Sequence, residues 1–466
     1  MYPLISISEM QELEKKSFQD YYLNSSQIIE IIGLQCAIKA YKKFKKNSAF
    51  IFLIGKGNNG ADGLCMAKHL FVLANFSLTI EVYLLFPPDS FSQELKIFLK
   101  QLQALGVFIF NGFPSLPLKN KNTIVVDAIF GTGYKGEIED ENLLNFFENL
   151  NKSKETILSL DIPSALHAND GLVAKYTWTM GLPKWDFFTP ANRIKMGEIK
   201  VIYTSFPNCS PVRLKKIQRN SLGHKNTFGH AICFGGSIGL TGALSLCTTA
   251  MILQKVGLVS MATWKDAYSY ALVHLKPQVM TNTIEEFLEN KKSFQSYNVM
   301  AIGPGLSTID KTQKLVHKAL LEFAGPIILD ADAINILHFN SSVDKEIFQS
   351  RKSDGRITIL TPHVAEFIRL MQISKEEYYS NMQKYVLKLA QEWNVHLVVK
   401  SFATFYITPE GKSYVLDQPN SDKAVGGSGD RLTGIIAAQL AINHLALIDT
   451  MDIRKFVMRG IMIHSR

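Results

Sequence analysis

The chain has 466 residues, more than one hydrophobic core accommodates, so two domains or three are expected. Its 47% hydrophobic and 20% charged residues are ordinary for a globular chain in water, and no apolar run approaches the roughly 18 residues of a membrane helix. The net charge of +9 is spread thinly: the basic clusters Lys42, Lys43, Lys45, Lys46 and Arg213, Lys215, Lys216, Arg219 lack interleaved aromatics, which argues against nucleic acid and for solvated surface.

A modest positive field also suits an anionic dinucleotide, although charge alone does not choose it. The opening MYPLISISEMQELEKK has early acids and no basic-then-apolar leader, so a cytoplasmic protein without membrane contact is expected. Five cysteines, with no CxxC pair, fit reduced buried thiols better than disulfides or zinc.

In the first half, apolar runs expected as strands alternate with helical stretches. The strands are Ala49 to Ile54, Leu78 to Phe86, Thr123 to Ile129, Thr156 to Asp161 and Ile199 to Tyr203; the helices include Asp62 to Ala74 and Glu94 to Leu105. Such alternation gives a mainly parallel, doubly wound sheet. The first strand runs into GKGNNGADG, where Gly55, Gly57 and Gly60 fit a dinucleotide pattern. A second fit, Gly131, Gly133 and Gly136 in GTGYKG, follows another strand, so both point to one crevice. The strand after the first glycine loop ends in Phe86-Pro87-Pro88 and leaves the ribose acid of a nicotinamide dehydrogenase poorly placed. Asn58, Asn59 and Asp62 are expected in the first loop, with Asp127, Asp161 and Ser164 at other strand ends. Singly each is a cap or turn former. Together they make an oxygen-lined site for a hard cation, with one acid left for proton transfer.

The pattern stops between Ser205 and Phe228, a proline-containing, basic stretch that reads as a linker, and then restarts. Expected strands are Ala231 to Phe234, Val299 to Ile302, Ile327 to Asp330, Ile357 to Leu360 and Leu397 to Val399, with Thr404 opening another. Expected helices include Thr241 to Val256, Thr312 to Phe323 and Lys375 to Trp393. The strand ends carry Gly235 to Ala243, Gly303 to Ser307, Asp330 and Asp332, His363 and Glu366, and Lys400. Most specific is Val425-Gly-Gly-Ser-Gly-Asp430 ahead of the apolar helix Leu432 to Leu440. Its glycines and the helix N-terminus can converge N–H groups on a phosphate, where Asp430 can deprotonate an attacking hydroxyl. From this motif alone, a phosphate cradle and a plain helix N-cap are equally good readings.

GKGNNGADG, VDAIFGTGYKGE and LDIPSAL, in that order, closely resemble the NAD(P)H-hydrate epimerases over about the first 205 residues. The resemblance implies a Rossmann-like three-layer α/β/α domain interconverting the R and S forms of ring-hydrated NAD(P)H. It carries substrate contacts onto Asn58, Asn59, Gly60, Ala61 and Asp62, and onto Gly131, Thr132, Gly133, Tyr134, Lys135, Gly136 and Glu137. It carries a K+ site onto Asn59, Asp127 and Ser164, and the acid/base role onto Asp161. Ala61 and Ala165 stand where the family usually has glycine, and an added methyl there bears on close backbone approach or a positive φ.

From about residue 220 onward the motifs resemble the ribokinase-like superfamily, and more closely its ADP-dependent NAD(P)H-hydrate dehydratase branch. This implies a ribokinase-like α/β/α domain that phosphorylates the ring hydroxyl from ADP and eliminates phosphate. By the same carry-over, Asp430 is the base and Gly427 to Gly429 cradle the phosphoryl group. Lys400, Ser401, Phe402, Ala403, Thr404 and Gly429 contact the nucleotide, while Ala243, Gly305, His363 and Asp430 contact the hydrate. Mg2+ on the diphosphate is expected, without clear protein ligands. Ser401 replaces a usual glycine.

The expected layout is an epimerase domain at 1–208, a linker at 209–224 and a dehydratase domain at 225–466, acting on NADHX, NADPHX and ADP as a homo-oligomer. The alternatives are a hydroxymethylpyrimidine- or sugar-type kinase with a regulatory N-terminal domain, and an N-terminal half that only senses nicotinamide nucleotides.

Overall fold

The structure, a computed structural model, describes residues 1–44, 49–118, 122–134, 136–214, 219, 221–419, 425–445 and 453–465. Lys45, Lys46, Lys215, Lys216 and the site candidate Lys135 lie outside the described residues. Two compact units form: Tyr2–Pro211, and Val212–Arg466 with Met1. No helix among the described residues is long and apolar enough to cross a membrane.

In the first unit parallel strands lie side by side in the order Phe108–Asn111, Ile80–Leu84, Ala49–Ile54, Thr123–Ala128, Thr156–Leu160, Tyr176–Met180, Glu198–Ile202. Successive side chains of a strand face opposite ways, so a strand covered on both sides must be apolar throughout. AFIFLI obeys this. Phe50, Phe52 and Ile54 join one core with Cys36, Leu64 and Phe98 of three helices, and Ile51 and Leu53 join the other with Phe147. Full burial of Phe52 alone contributes about 1.5–3 kcal/mol. The order reverses between Ala49–Ile54 and Thr123–Ala128, which opens a crevice at their C-terminal ends.

Three sequence expectations change here. Helix Asn58–Leu73 starts directly after Gly57, so Asn58, Asn59 and Asp62 occupy its first turns rather than a loop. Strand Phe108–Asn111, a largely exposed edge, and strand Tyr176–Met180, with two buried threonines, add to the expected set. The expected strand Leu78 to Phe86 shortens to Ile80–Leu84.

In the second unit the order is Ser413–Leu416, Thr404–Ile407, His396–Lys400, Thr358–Leu360, Ile327–Leu329, Val299–Ile302, His230–Phe234, Leu258–Thr263, Val279–Thr283. Pairing is parallel from His396–Lys400 onward, and the first three strands pair antiparallel. Here the order reverses between Val299–Ile302 and His230–Phe234, the strands that feed the Gly303 and Gly235 loops. Leu258–Thr263, Val279–Thr283 and Ser413–Leu416 add to the expected strands, and VMTNT at the sheet edge is too polar to be legible as one. The expected helix Lys375 to Trp393 is two, Lys375–Ser380 and Met382–Glu392, broken where Asn381 takes φ −137°.

Helix Ser428–Ile442 packs against Thr241–Leu253 and Ile453–His464. A Cβ on Gly434 would stand 2.2 Å from the Cys247 carbonyl oxygen, so glycine sets how closely the first pair crosses. Arg351 is buried and donates to Thr358 Oγ1 and to the carbonyls of Leu320, Phe323, Gly325 and Ile357. All five of its N–H groups are thereby used, which ties helix to sheet without a carboxylate.

Candidate active sites

The two glycine loops of the first unit touch. A Cβ on Gly55 would lie 1.8 Å from the Ile129 carbonyl oxygen, so only glycine permits this approach. The contact aligns a relay through the Phe130 backbone. Asn59 Nδ2 donates to Phe130 O at 3.0 Å, Phe130 N donates to Ser164 Oγ at 2.9 Å, and Ser164 Oγ donates to Asp127 Oδ1 at 2.5 Å. Asp127 is fully buried and also accepts from Ser159 Oγ at 2.7 Å and Ser164 N at 2.9 Å. Burial pushes its carboxyl up, and these hydrogen bonds pull it partly back. Asn59 Oδ1 is buried without a hydrogen-bond partner among the described residues. An orphaned amide oxygen beside a buried carboxylate is the donor chemistry a hard monovalent cation takes.

Asp161 sits just past Thr156–Leu160 with φ +61°, a left-handed conformation that costs about 1–2 kcal/mol and persists where surroundings enforce it. Its Oδ1 accepts from Lys184 Nζ at 3.0 Å and its Oδ2 from Thr132 N at 3.1 Å. Oδ2 would stand 3.2 Å from a Cβ on Gly131, and Asn59 Cβ 3.4 Å, so Asp161, Asn59 and the GTG loop lie side by side. Burial pushes the Asp161 carboxyl up, but the Lys184 ammonium and the hydrogen bonds outweigh it and hold the group below the usual carboxylate range. Asp62 goes the other way: burial, then the charges of Asp161 and Glu14, raise it well above that range. Tyr134 stacks on Phe130 with ring centres 4.1 Å apart and donates to Glu137 O. Ala165 holds φ +57°, the left-handed region that glycine favours, whereas Ala61 is an ordinary buried helical residue.

In the second unit helix Ser428–Ile442 begins behind Gly427, at φ +82°. A Cβ on Gly429 would stand 3.0 Å from Lys400 Nζ and 3.9 Å from Asp330 Oδ2, so this helix start faces both charges. Asp330 is buried; its Oδ1 accepts from Lys400 Nζ at 2.6 Å and its Oδ2 from Thr433 Oγ1 at 2.8 Å. Burial raises the Asp330 carboxyl, and Lys400 with the hydroxyls brings it below the usual range. Asp430 has no such ion pair among the described residues: burial, then the Asp330 charge, pushes its carboxyl up to about 6 against the pull of Lys400. A group poised there serves as a base near neutral pH.

A Cβ on Gly305 would meet Ala243 Cβ at 3.3 Å, which brings these two hydrate-contact candidates together. Asp332 Oδ2 accepts from Ser307 N at 2.8 Å in the same loop set. His363 caps helix Val364–Met371: its Nδ1 accepts from Ala365 N and Glu366 N, which leaves Nε2 as the ring's outward atom, 3.2 Å from Glu366 Oε1. Ser401 N donates to Ala403 O at 3.1 Å in a tight turn, and Ser401 is not at positive φ, so the serine is accommodated. Ala403 is buried behind this turn, and Thr404 starts the next strand.

A third cluster, Glu30, Cys65 and His69, has metal-ligand spacing. Lys68 Nζ already bonds both Glu30 oxygens, so it works as an ion pair between two helices.

The model of the family described as NAD(P)H-hydrate dehydratase matches residues 231–466, just over half of the chain. The chain belongs to the NAD(P)H-hydrate dehydratase family. A second model, YjeF-related protein N-terminus, matches residues 25–185. The Moorella thermoacetica protein named bifunctional NAD(P)H-hydrate repair enzyme Nnr is 29% identical, covering 93% of this chain and 87% of its own. Its namesake from Thermofilum pendens is 27% identical over 98% and 90%, and that from Escherichia coli 28% over 84% and 76%. In this dehydratase-family chain, sequence reasoning missed Lys184, Thr433 and Glu14. Thr433 was within reach as a hydroxyl one helical turn after Asp430; Lys184 and Glu14 carried no motif.

Proposed function

We infer that the protein is a bifunctional NAD(P)H-hydrate repair enzyme: it epimerises hydrated NAD(P)H and dehydrates the S form to NAD(P)H at the expense of ADP. The carrying observation is Asp430, pushed up to about 6 at the start of the GGSGD helix, within a family match spanning residues 231–466. We assign epimerisation to 1–208, a linker to 209–224 and dehydration to 225–466.

In the second unit, Asp430 takes the proton of the ring hydroxyl as its oxygen attacks the terminal phosphorus of ADP. AMP leaves, and the N–H groups of Gly427 to Gly429 receive the transferring phosphoryl. Hydroxide leaves poorly and phosphate well. The ring nitrogen's electrons then expel phosphate, and loss of the neighbouring ring proton restores the dihydronicotinamide. Lys400 to Thr404 and Gly429 hold the nucleotide; Ala243, Gly305 and His363 hold the hydrate. Mg2+, bound with the nucleotide, would supply charge neutralisation. No side chain is assigned to it, since the Asp330 oxygens are taken by Lys400 and Thr433.

In the first unit, the hydrate's hydroxyl lies on the carbon beside the ring nitrogen. Asp161 takes that hydroxyl proton and delivers it to the nitrogen as the C–N bond breaks; the resulting aldehyde recloses from its other face. Asn58 to Asp62 and Gly131 to Glu137 line the substrate. Asn59 and Ser164 would hold K+, with Asp127 supplying charge and orienting Ser164, and the ion would supply a fixed positive charge. An Asn59→Ala variant is expected to lose any response of epimerisation rate to added K+.

The testing experiment incubates the purified protein with mixed NADHX epimers and ADP. Full recovery of reduced-nicotinamide absorbance with release of phosphate is expected. A stable phosphorylated product would move the reading to a small-molecule kinase, which the family match disfavours.

A further inference from the structure

Lys184 is almost wholly buried, 1% exposed, in a unit whose other lysines mostly reach solvent. Its three N–H donors are all used: Asp161 Oδ1 at 3.0 Å, Thr179 Oγ1 at 2.7 Å and Met180 O at 3.0 Å. The Phe187 ring lies 5.4 Å from the ammonium. The backbone around it is pinned, with Trp185 N donating to Ile5 O at 2.9 Å and Ile5 N to Pro183 O at 3.4 Å. A buried ammonium with every donor directed has one freedom left, which is to fix its carboxylate partner.

That partner stands among other acids. Glu14 of helix Ile7–Asp20 and Asp62 of helix Asn58–Leu73 both face the Asp161–Lys184 pair, and Cys209 faces Lys184. With two carboxyls close by and little water, an unpaired Asp161 would keep its proton. With Lys184 on Oδ1, Asp161 stays a carboxylate and presents Oδ2 to the GTG loop.

We propose that Lys184 is the positioning residue of the epimerase site, acting through Asp161 to hold it ionised and aimed at the hydrate. This rests on the epimerase reading above. The backbone of Asp161, at φ +61°, is fixed by Asp161 N on Trp178 O and Ile162 N on Leu160 O, both at 2.8 Å, and the side chain it projects is held by Lys184 on one oxygen and Thr132 N on the other.

The test follows R/S exchange by chiral separation between pH 5 and pH 8 in the full chain, with protein-free rates subtracted. The unmodified protein is expected to show a flat rate down to about pH 5, because Asp161 is already ionised there. Lys184→Met is expected to bring an acidic limb into this range, displaced upward by about 1–3 pH units, with dehydration of pure S hydrate unchanged. Lys184→Arg keeps a charge and is expected to restore part of the low-pH rate. A limb near pH 6 in the unmodified protein, which needs no variant to fold, would overturn the proposal. So would a Lys184→Met protein whose rate falls equally at every pH. No exchange at any pH in the unmodified protein would overturn the epimerase reading itself, and this proposal with it.

Discussion

Each unit buries one aspartate against one lysine at the end of its sheet, and the two pairs are used differently. In the first, the paired acid is the one we propose as reactive: Asp161, on Lys184, is held below the usual carboxylate range with an oxygen turned to the GTG loop. In the second, the paired acid is a support: Asp330, on Lys400, stays charged and adds to the burial that pushes Asp430 up to about 6. The same kind of ion pair thus lowers one carboxyl directly in the first site and stands beside a carboxyl raised towards neutrality in the second. Burial alone would have raised both reactive acids, so the position of the lysine decides.

Replacing each reactive acid should break the comparison most completely. Asp430→Asn is expected to lower dehydration by about 10²–10⁴-fold while leaving epimer exchange intact, and Asp161→Asn the converse, each read in its own assay on the full chain. Next comes pH. Asp430 must be ionised to accept a proton, so dehydration of pure S hydrate should fall below pH about 6, roughly tenfold per unit. Removing the supporting acid should sharpen this: Asp330→Asn takes away a like charge and frees Lys400. Both effects lower the Asp430 carboxyl, and the limb should move down by about one pH unit. The smallest effect concerns Ala165. Its methyl at φ +57° carries strain that Ala165→Gly would release, raising stability of the first unit by about 1 kcal/mol in a thermal melt.

The strand-end glycines were legible because close approach admits no other residue: Gly55, facing the Ile129 carbonyl, belongs to a motif that marks its own position. The buried central strands were legible for a similar reason, since AFIFLI cannot face water on either side. Edge strands such as Val279–Thr283 were not, because one covered face leaves polar residues free to appear. The polar start of helix Asn58–Leu73 was misplaced into a loop, because Asn-Asn-Gly has low helix propensity and its place is set by the helix N-terminus it lines. Lys184 was invisible in GLPKW. A lysine's pattern is that of solvent, and only the fold shows that this one is buried. Nor does composition disclose that Asp330 is a support and Asp430 the poised group, since that depends on which of them Lys400 reaches.

On the proposed reading, two different chemistries run in series on one chain. The most direct measurement gives the unmodified and Asp161→Asn proteins an equal mixture of R and S NADHX with ADP and follows absorbance at the reduced-nicotinamide band. The unmodified protein is expected to recover the whole mixture in one continuous phase. Asp161→Asn should recover the S half at the same initial rate and the remainder only at the speed of uncatalysed exchange. Identical complete traces from both proteins would exclude Asp161 from epimerisation, and no recovery from either would exclude dehydration.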